Sequence, residues 1–313
     1  MQKFHFPCVQ GCSLNSPLID SETLVRELIF TYKCNNPCKH CHMLCRNNRT
    51  MNPQLAVDIV KDSIDYARQN GYKKLAVCLI GAEVLDAFDE LKEFYEHLTM
   101  IDTQIPVSIL IETCHTSISE ECKKWLSDAK NIYLSLRTDS PAEQFSDEID
   151  FSQYYSICQR ISRNDFSDIF RNTVVVLDKF PIGVTEYFPL GRLDKNDYEE
   201  YCKQLHLLKK HNLLESFTAS DFSNCCSPNN SAKQIETIDT DGKKYFCKYM
   251  SPAYNLSSIY KKVSPNNDIP LSCNECQAKD CCSLCPAARV LKSNSQCQIL
   301  RRQYKAYCLS GLK

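Results

Sequence analysis

The segment Cys34-Asn35-Asn36-Pro37-Cys38-Lys39-His40-Cys41 sets three thiols at C-x3-C-x2-C spacing. Three thiolates on one loop suit an iron–sulfur cubane in which one iron has no protein ligand. Such an open iron is a place for a chelating substrate or cofactor. Structural zinc takes four ligands, commonly as two CxxC-like pairs, and Cys45 or His42 would complete such a set. Zinc therefore stands as the alternative on spacing alone. A second constellation lies downstream: Cys225-Cys226, Gly242-x4-Cys247, Cys273-x2-Cys276, Cys281-Cys282, Cys285-Pro286 and Cys297. Within it, Asp241-Gly242 is a hairpin signal that would return Cys247 toward Cys226. A zinc ribbon is the rival reading there, and the choice matters because iron–sulfur clusters move electrons and d¹⁰ zinc does not.

These motifs account for an unusual composition. The chain of 313 residues holds 21 cysteines against 7 glycines and 1 tryptophan. Disulfide scaffolds are usually short secreted chains; this one is long, and Met1 to Pro7 begins no apolar signal segment. Thiolates bound to metal in a reducing cytoplasm are the better expectation. A formal net charge of −1 gives no general reason to expect nucleic acid or an anionic membrane as partner. No run approaches the roughly 20 apolar residues of a spanning helix. Cys8 and Cys12 read as surface or substrate-lid thiols rather than a third metal site. Cys78, Cys114, Cys122, Cys158 and Cys202 fall within regular elements and read as small core hydrophobes, Cys114 being the one beside the expected site. From Cys281 to Lys313 there are six Lys and Arg residues and no Asp or Glu, a solvated face or a docking surface for an acidic peptide.

The elements that must position the first motif alternate strand and helix. Strands are expected at Leu24–Tyr32, Leu75–Ile80, Pro106–Glu112, Ile132–Leu136, Thr173–Leu177 and Val184–Leu190. Helices are expected at Pro53–Asn70, with Gly71 at its end, then through Leu85 to Leu98, after a Ser117/Glu120 capping box, at Phe151–Ile161 and from about Lys195 to His211. This alternation implies βαβ units and a parallel sheet or barrel, with six repeats against the eight of a closed barrel. After about Ser216 the alternation stops and the cysteines crowd, which suggests a region whose order depends on metal. The expected organisation is an N-terminal segment (1–23), a partial (β/α)6 TIM-type barrel (24–215) and a cysteine-rich, iron–sulfur-binding extension (216–313).

The Cys34-Cys38-Cys41 motif, directly after the first strand, resembles that of the radical S-adenosylmethionine superfamily. The resemblance implies a 4Fe–4S cluster whose open iron binds the methionine moiety of S-adenosylmethionine, and whose reduction yields a 5′-deoxyadenosyl radical that abstracts a substrate hydrogen. His40 stands where relatives commonly carry an aromatic residue. Gly81-Ala82-Glu83-Val84 resembles the family's Gly-Gly-Glu-Pro segment, with Ala82 and Val84 as departures. Thr113-Cys114-His115-Thr116, Ser135-Leu136-Arg137-Thr138-Asp139 and Phe188-Pro189-Leu190-Gly191-Arg192 resemble later segments in the family's order. On that resemblance His40, Gly81, Ala82, Glu83 and Ser135 are expected cofactor contacts. A plain strand-to-helix turn with Glu83 in its first turn is the alternative for the second segment.

The downstream cysteines resemble the SPASM extension of radical peptide and protein maturases. The pattern has one residue fewer between Cys276 and Cys285, leaving Cys281 or Cys282 as the ligand. By that resemblance Cys226, Cys247 and Cys285 would hold one auxiliary 4Fe–4S cluster, with Cys225 the remaining candidate. Cys273, Cys276, Cys281 and Cys297 would hold another. The implied activity is oxidoreductase-type, oxygen-sensitive maturation of a ribosomally made peptide or protein, by crosslink, thioether or residue oxidation. An external electron donor such as flavodoxin or ferredoxin is implied, and a separate leader-binding protein is compatible with the short N-terminal segment. Lys248 follows Cys247 where sulfatase maturases have aspartate, a departure from that particular reaction. The alternatives are action on a small molecule or tetrapyrrole intermediate, and a non-enzymatic electron-transfer or zinc-structured scaffold.

Overall fold

Strand β1 (Thr23–Thr31) is buried along its whole length, and its residues alternate between two covered faces. Leu24, Leu28 and Phe30 pack against helices α1 (Pro53–Gln69) and α2 (Phe88–Thr99), while Val25 and Ile29 are buried on the other face. A strand covered on both sides reads as a near-continuous apolar run, as parallel strands do. The computed structural model describes residues 22–35, 47–114, 118–138, 154–171, 173–174, 186–190, 200, 203–204, 207–208, 210–211, 235–245 and 251–252.

The same logic repeats through β2 (Lys74–Gly81), β3 (Val107–Thr113) and β4 (Ile132–Thr138), where Leu75, Val77, Leu79, Ile109, Ile111 and Leu134 join the helix-side core. Helix α1 starts where Asn52 accepts from the N–H groups of Gln54 and Leu55 with Pro53 in its first turn, and it ends before Gly71 at φ +77°. Its stripe of Val57, Val60 and Ile64 is buried, each such side chain contributing about 1.5–3 kcal/mol of transfer free energy. Helix α3 (Glu120–Asp128) is capped by Ser119, whose hydroxyl accepts from Cys122 N–H; the expected capping residue, Ser117, lies outside the described residues.

Two expected elements exchange roles. Tyr154–Ser162, within the segment expected as a helix (Phe151–Ile161), is strand β5, paired in parallel with β4 on one side and with β6 (Glu186–Leu190) on the other. Its tyrosines and isoleucines fit a strand as well as a helix, and ladder partners on both edges decide between them. Thr173, expected to open the fifth strand, is instead helical: its hydroxyl donates to Ile169 O (2.8 Å), and Phe166, Ile169 and Thr173 are buried at helical spacing.

The sheet order is β6-β5-β4-β3-β2-β1-β7-β8. Strands β1 to β6 run outward from β1 in chain order, all parallel, in a mixed α/β architecture. Strand β7 (Ile235–Ile238) adds in parallel to the other edge of β1, and β8 (Lys244–Tyr245) returns antiparallel to it. Gly242, at φ +80°, turns this hairpin, as the Asp241-Gly242 signal indicates. Among the described residues, no helix is long and apolar enough to cross a membrane.

Candidate functional site

Because β1 to β4 are parallel, the chain leaves all of them at one edge. It emerges from β1 at Tyr32-Lys33-Cys34, from β2 at Ala82-Glu83 and from β3 at Cys114. Thr31 and Gly81 are register partners there. Gly81 lies at φ +141°, and a Cβ on it would stand 2.3 Å from Thr31 O, so only glycine lets the two strands close. The approach allows Ala82 N–H to donate to Thr31 O (2.9 Å) and Glu83 N–H to Lys33 O (3.0 Å). One residue past Cys34, Asn35 N–H donates to Asp86 Oδ2 (2.6 Å). The backbone carrying the partly exposed Cys34 thiol is thus held on both sides of that residue.

Glu83 carries the next connection. Its side chain is 3% exposed; Oε1 accepts from Thr113 Oγ1 (2.8 Å) and Leu85 N–H (3.2 Å), and Oε2 accepts from Cys114 N–H (2.7 Å). Hydrogen bonds to an ionised carboxylate are among the stronger kind, and these join the exit of β2 to that of β3. Nearby on α3, burial first, and then the negative charges of Glu121 and Glu83, push the Cys122 thiol up to about 11. Ser135 is buried on β4, opposite Glu112 of β3, and Arg137 of β4 pairs with Glu112 (2.6 Å).

The chain that leaves β1 at Cys34 returns beside it. Thr50 bridges antiparallel to Thr31, Tyr32 N–H donates to Arg49 O (2.8 Å), and Met51 N–H to Phe30 O (2.7 Å). On the outer side, the β7–β8 hairpin meets the same stretch. Buried Asp239 accepts from the Tyr32 hydroxyl, from Ser251 Oγ (2.7 Å) and from Thr240 N–H (2.7 Å). Burial and then the bond to Asp239 raise the Tyr32 phenol well above its usual range. Further along β1, Thr237 Oγ1 donates to Glu27 Oε2 (2.8 Å) and Arg26 pairs with Glu236 (3.6 Å). Desolvation lowers the Arg26 guanidinium, which also lies 5.2 Å from the Tyr66 ring centre.

Of the sequence-derived site residues, Cys34, Gly81, Ala82 and Glu83 stand together at the edge, with Ser135 near the end of β4. Cys38, His40 and Cys41 lie outside the described residues, as do Cys225, Cys226, Cys247, Cys273, Cys276, Cys281, Cys282, Cys285 and Cys297. Asp86, Tyr32, Glu27 and Asp239 carry connections that the sequence reading did not single out. For Asp239 a partial signal was present, since it begins the Asp-Thr-Asp-Gly turn.

No protein-family model matches the chain, and no curated protein matches it in sequence. Solved structures do match in fold. The chain is similar to native anSMEcpe with bound AdoMet, at TM-score 0.63 and 14% identity over 91% of this chain and 97% of that one. It is also similar to anSMEcpe with bound AdoMet and the Cp18Cys peptide, at TM-score 0.60 and 14% identity over 92% and 99%. At this identity the likeness is one of fold.

Proposed function

We propose that the chain is a radical S-adenosylmethionine enzyme that modifies a peptide or protein side chain. The observation that carries this reading is the position of Cys34. It opens a three-thiol loop at the carboxyl edge of the first parallel strand, in a fold whose solved relatives include an AdoMet-bound enzyme. Ligands in open parallel α/β sheets collect at that edge, since the loops of several strands converge there.

The residues present fit the implied group. Cys34 is a partly exposed thiol on a backbone fixed before and after it, which suits the first ligand of a thiolate set. In this reading Cys34, Cys38 and Cys41 hold a 4Fe–4S cluster, which supplies reductive cleavage of S-adenosylmethionine when bound. Gly81, Ala82 and Glu83 shape the adjoining wall of the cofactor site. Glu83 orients the Cys34 and Cys114 backbones through its amide and carboxylate, while Ser135 offers a hydroxyl from β4 and His40 flanks the third thiol. Cys226, Cys247 and Cys285, with Cys273, Cys276, Cys281 and Cys297, hold one or two auxiliary clusters in the extension (216–313), which follows the barrel part (24–215).

The substrate class is read from the peptide-bound relative, and Lys248 after Cys247 argues for a modification other than that of a sulfatase. An external electron donor would be required. The test is anaerobic purification and reconstitution, followed by iron analysis and incubation with dithionite and S-adenosylmethionine. The wild type should bind iron and release 5′-deoxyadenosine. The Cys34→Ala, Cys38→Ala, Cys41→Ala variant should lose one cluster's iron and all cleavage while keeping the auxiliary iron. Cleavage retained in that variant, or zinc with little iron in the wild type, would overturn the proposal.

A further inference from the structure

The turn of the β7–β8 hairpin touches both stems of the first cysteine loop. On the outgoing stem, the Tyr32 hydroxyl donates to Asp239, two residues before Cys34. On the returning stem, Arg49 lies 3.7 Å from Asp241 in the same turn, and Arg49 O accepts from Tyr32 N–H. The Arg49–Asp241 pair is half-exposed and worth little alone. Asp239 is different: it is 4% exposed, and its carboxylate accepts from Tyr32, Ser251 and both the amide and hydroxyl of Thr240. Its own backbone closes the turn, with Asp239 N–H donating to Lys243 O (2.9 Å) and Gly242 N–H to Asp239 O (2.8 Å).

We propose that Asp239 is a positioning residue for the Cys34 loop: its carboxylate fixes the Tyr32 side chain, and through it the two stems on which the loop is mounted. Three facts favour this over an ordinary edge-strand contact. The carboxylate lies at the loop's neck, whereas Glu236 and Thr237 meet β1 at Arg26 and Glu27, farther from it. It is the point at which Tyr32, 207 positions away, meets the turn and Ser251, 12 positions beyond it. The two stems also share backbone hydrogen bonds, so displacing Tyr32 loosens the returning stem too. The inference concerns chain geometry alone and goes beyond the proposed chemistry, so it holds whichever metal the loop carries.

Hydrogen exchange on the full chain, purified anaerobically without added metal, tests it. Asp239→Ala should speed exchange about tenfold or more both at residues 31–35 and at residues 47–51, as expected for losing a buried charge-assisted bond in a locally opening unit. Asp239→Asn keeps an acceptor for Tyr32 and a partner for Ser251, and should return both segments to near wild-type rates. Tyr32→Phe, which removes one hydroxyl and keeps the ring, should speed residues 31–35 while the hairpin at residues 235–245 stays protected; it serves also if Asp239→Ala does not fold. Faster exchange confined to the hairpin in Asp239→Ala, an Asn variant as open as the Ala variant, or an unchanged Tyr32→Phe chain would each overturn the proposal. Because no cofactor is added, these results are independent of whether 5′-deoxyadenosine is formed.

Discussion

The two neighbours of β1 hold it by different means. On one side β2 pairs along nearly the whole strand, from Thr23 with Lys74 to Thr31 with Gly81, and apolar side chains on the helix face cover the seam. On the other side β7 pairs over four positions only, and the junction is strengthened by polar pairs: the buried Glu27 with Thr237 and Tyr32 with Asp239, and buried Arg26 with the partly exposed Glu236. Long apolar ladders supply stability, whereas buried polar pairs contribute less net free energy but tolerate few alternative arrangements. The first junction builds the sheet, and the second specifies where a remote segment of chain must join it.

That contrast can be broken at several points. Gly81→Ala should have the largest effect, since the methyl group meets Thr31 O in a backbone conformation that L residues rarely adopt. A loss of about 3 kcal/mol or more in denaturant unfolding, or failure to fold, is expected. A change below about 1 kcal/mol would show that the β1–β2 edge relaxes easily. Glu83→Gln comes next: an amide nitrogen would face the Cys114 N–H or the Leu85 N–H, costing about 1–3 kcal/mol. Its signature in exchange experiments should centre on residues 81–86 and 113–114, leaving the hairpin protected.

Weaker effects sharpen the comparison. The stability component from Cys122 has a definite sign. Its thiol is raised to about 11, so above the ordinary thiol range of about 8.5 the unfolded chain loses a proton that the folded chain retains. Stability should therefore fall as pH rises from about 8.5 toward 11, by roughly 3 kcal/mol at most, and Cys122→Ala should flatten this part of the pH profile. Glu236→Gln should be the mildest, at about 1 kcal/mol or less, because Glu236 is partly exposed and shared between Arg26 and Lys244. Faster exchange there should be confined to residues 235–245; spreading into β2 would contradict the division between the two junctions.

The first four strands were legible to within two residues because each is a β-branched or apolar run, the first three followed by a helix stripe. Local pattern failed at Tyr154–Ser162 and Thr173, where β-branched and aromatic residues occur in both strand and helix and the sheet partners decide. The site divides likewise. Cys34, Gly81 and Glu83 stand in short motifs whose chemistry is local, and the structure places them at one edge. The partners of Tyr32 and Glu27 lie 207 and 210 positions away, and no local spacing encodes such pairings.

The bridge between Thr31 and Thr50 has a consequence in loop-closure entropy. These residues stand 19 positions apart, and their pairing closes the segment that contains Cys34, Cys38 and Cys41 before any ion is present. For a flexible chain, closing a segment of this length costs on the order of 3 kcal/mol. Folding of the sheet meets that cost, so the cluster proposed above would have only the thiolates to organise, within a segment whose ends already meet. On that proposal, affinity for the cluster's iron should fall by up to about a hundredfold when the bridge is opened, even with all three cysteines intact.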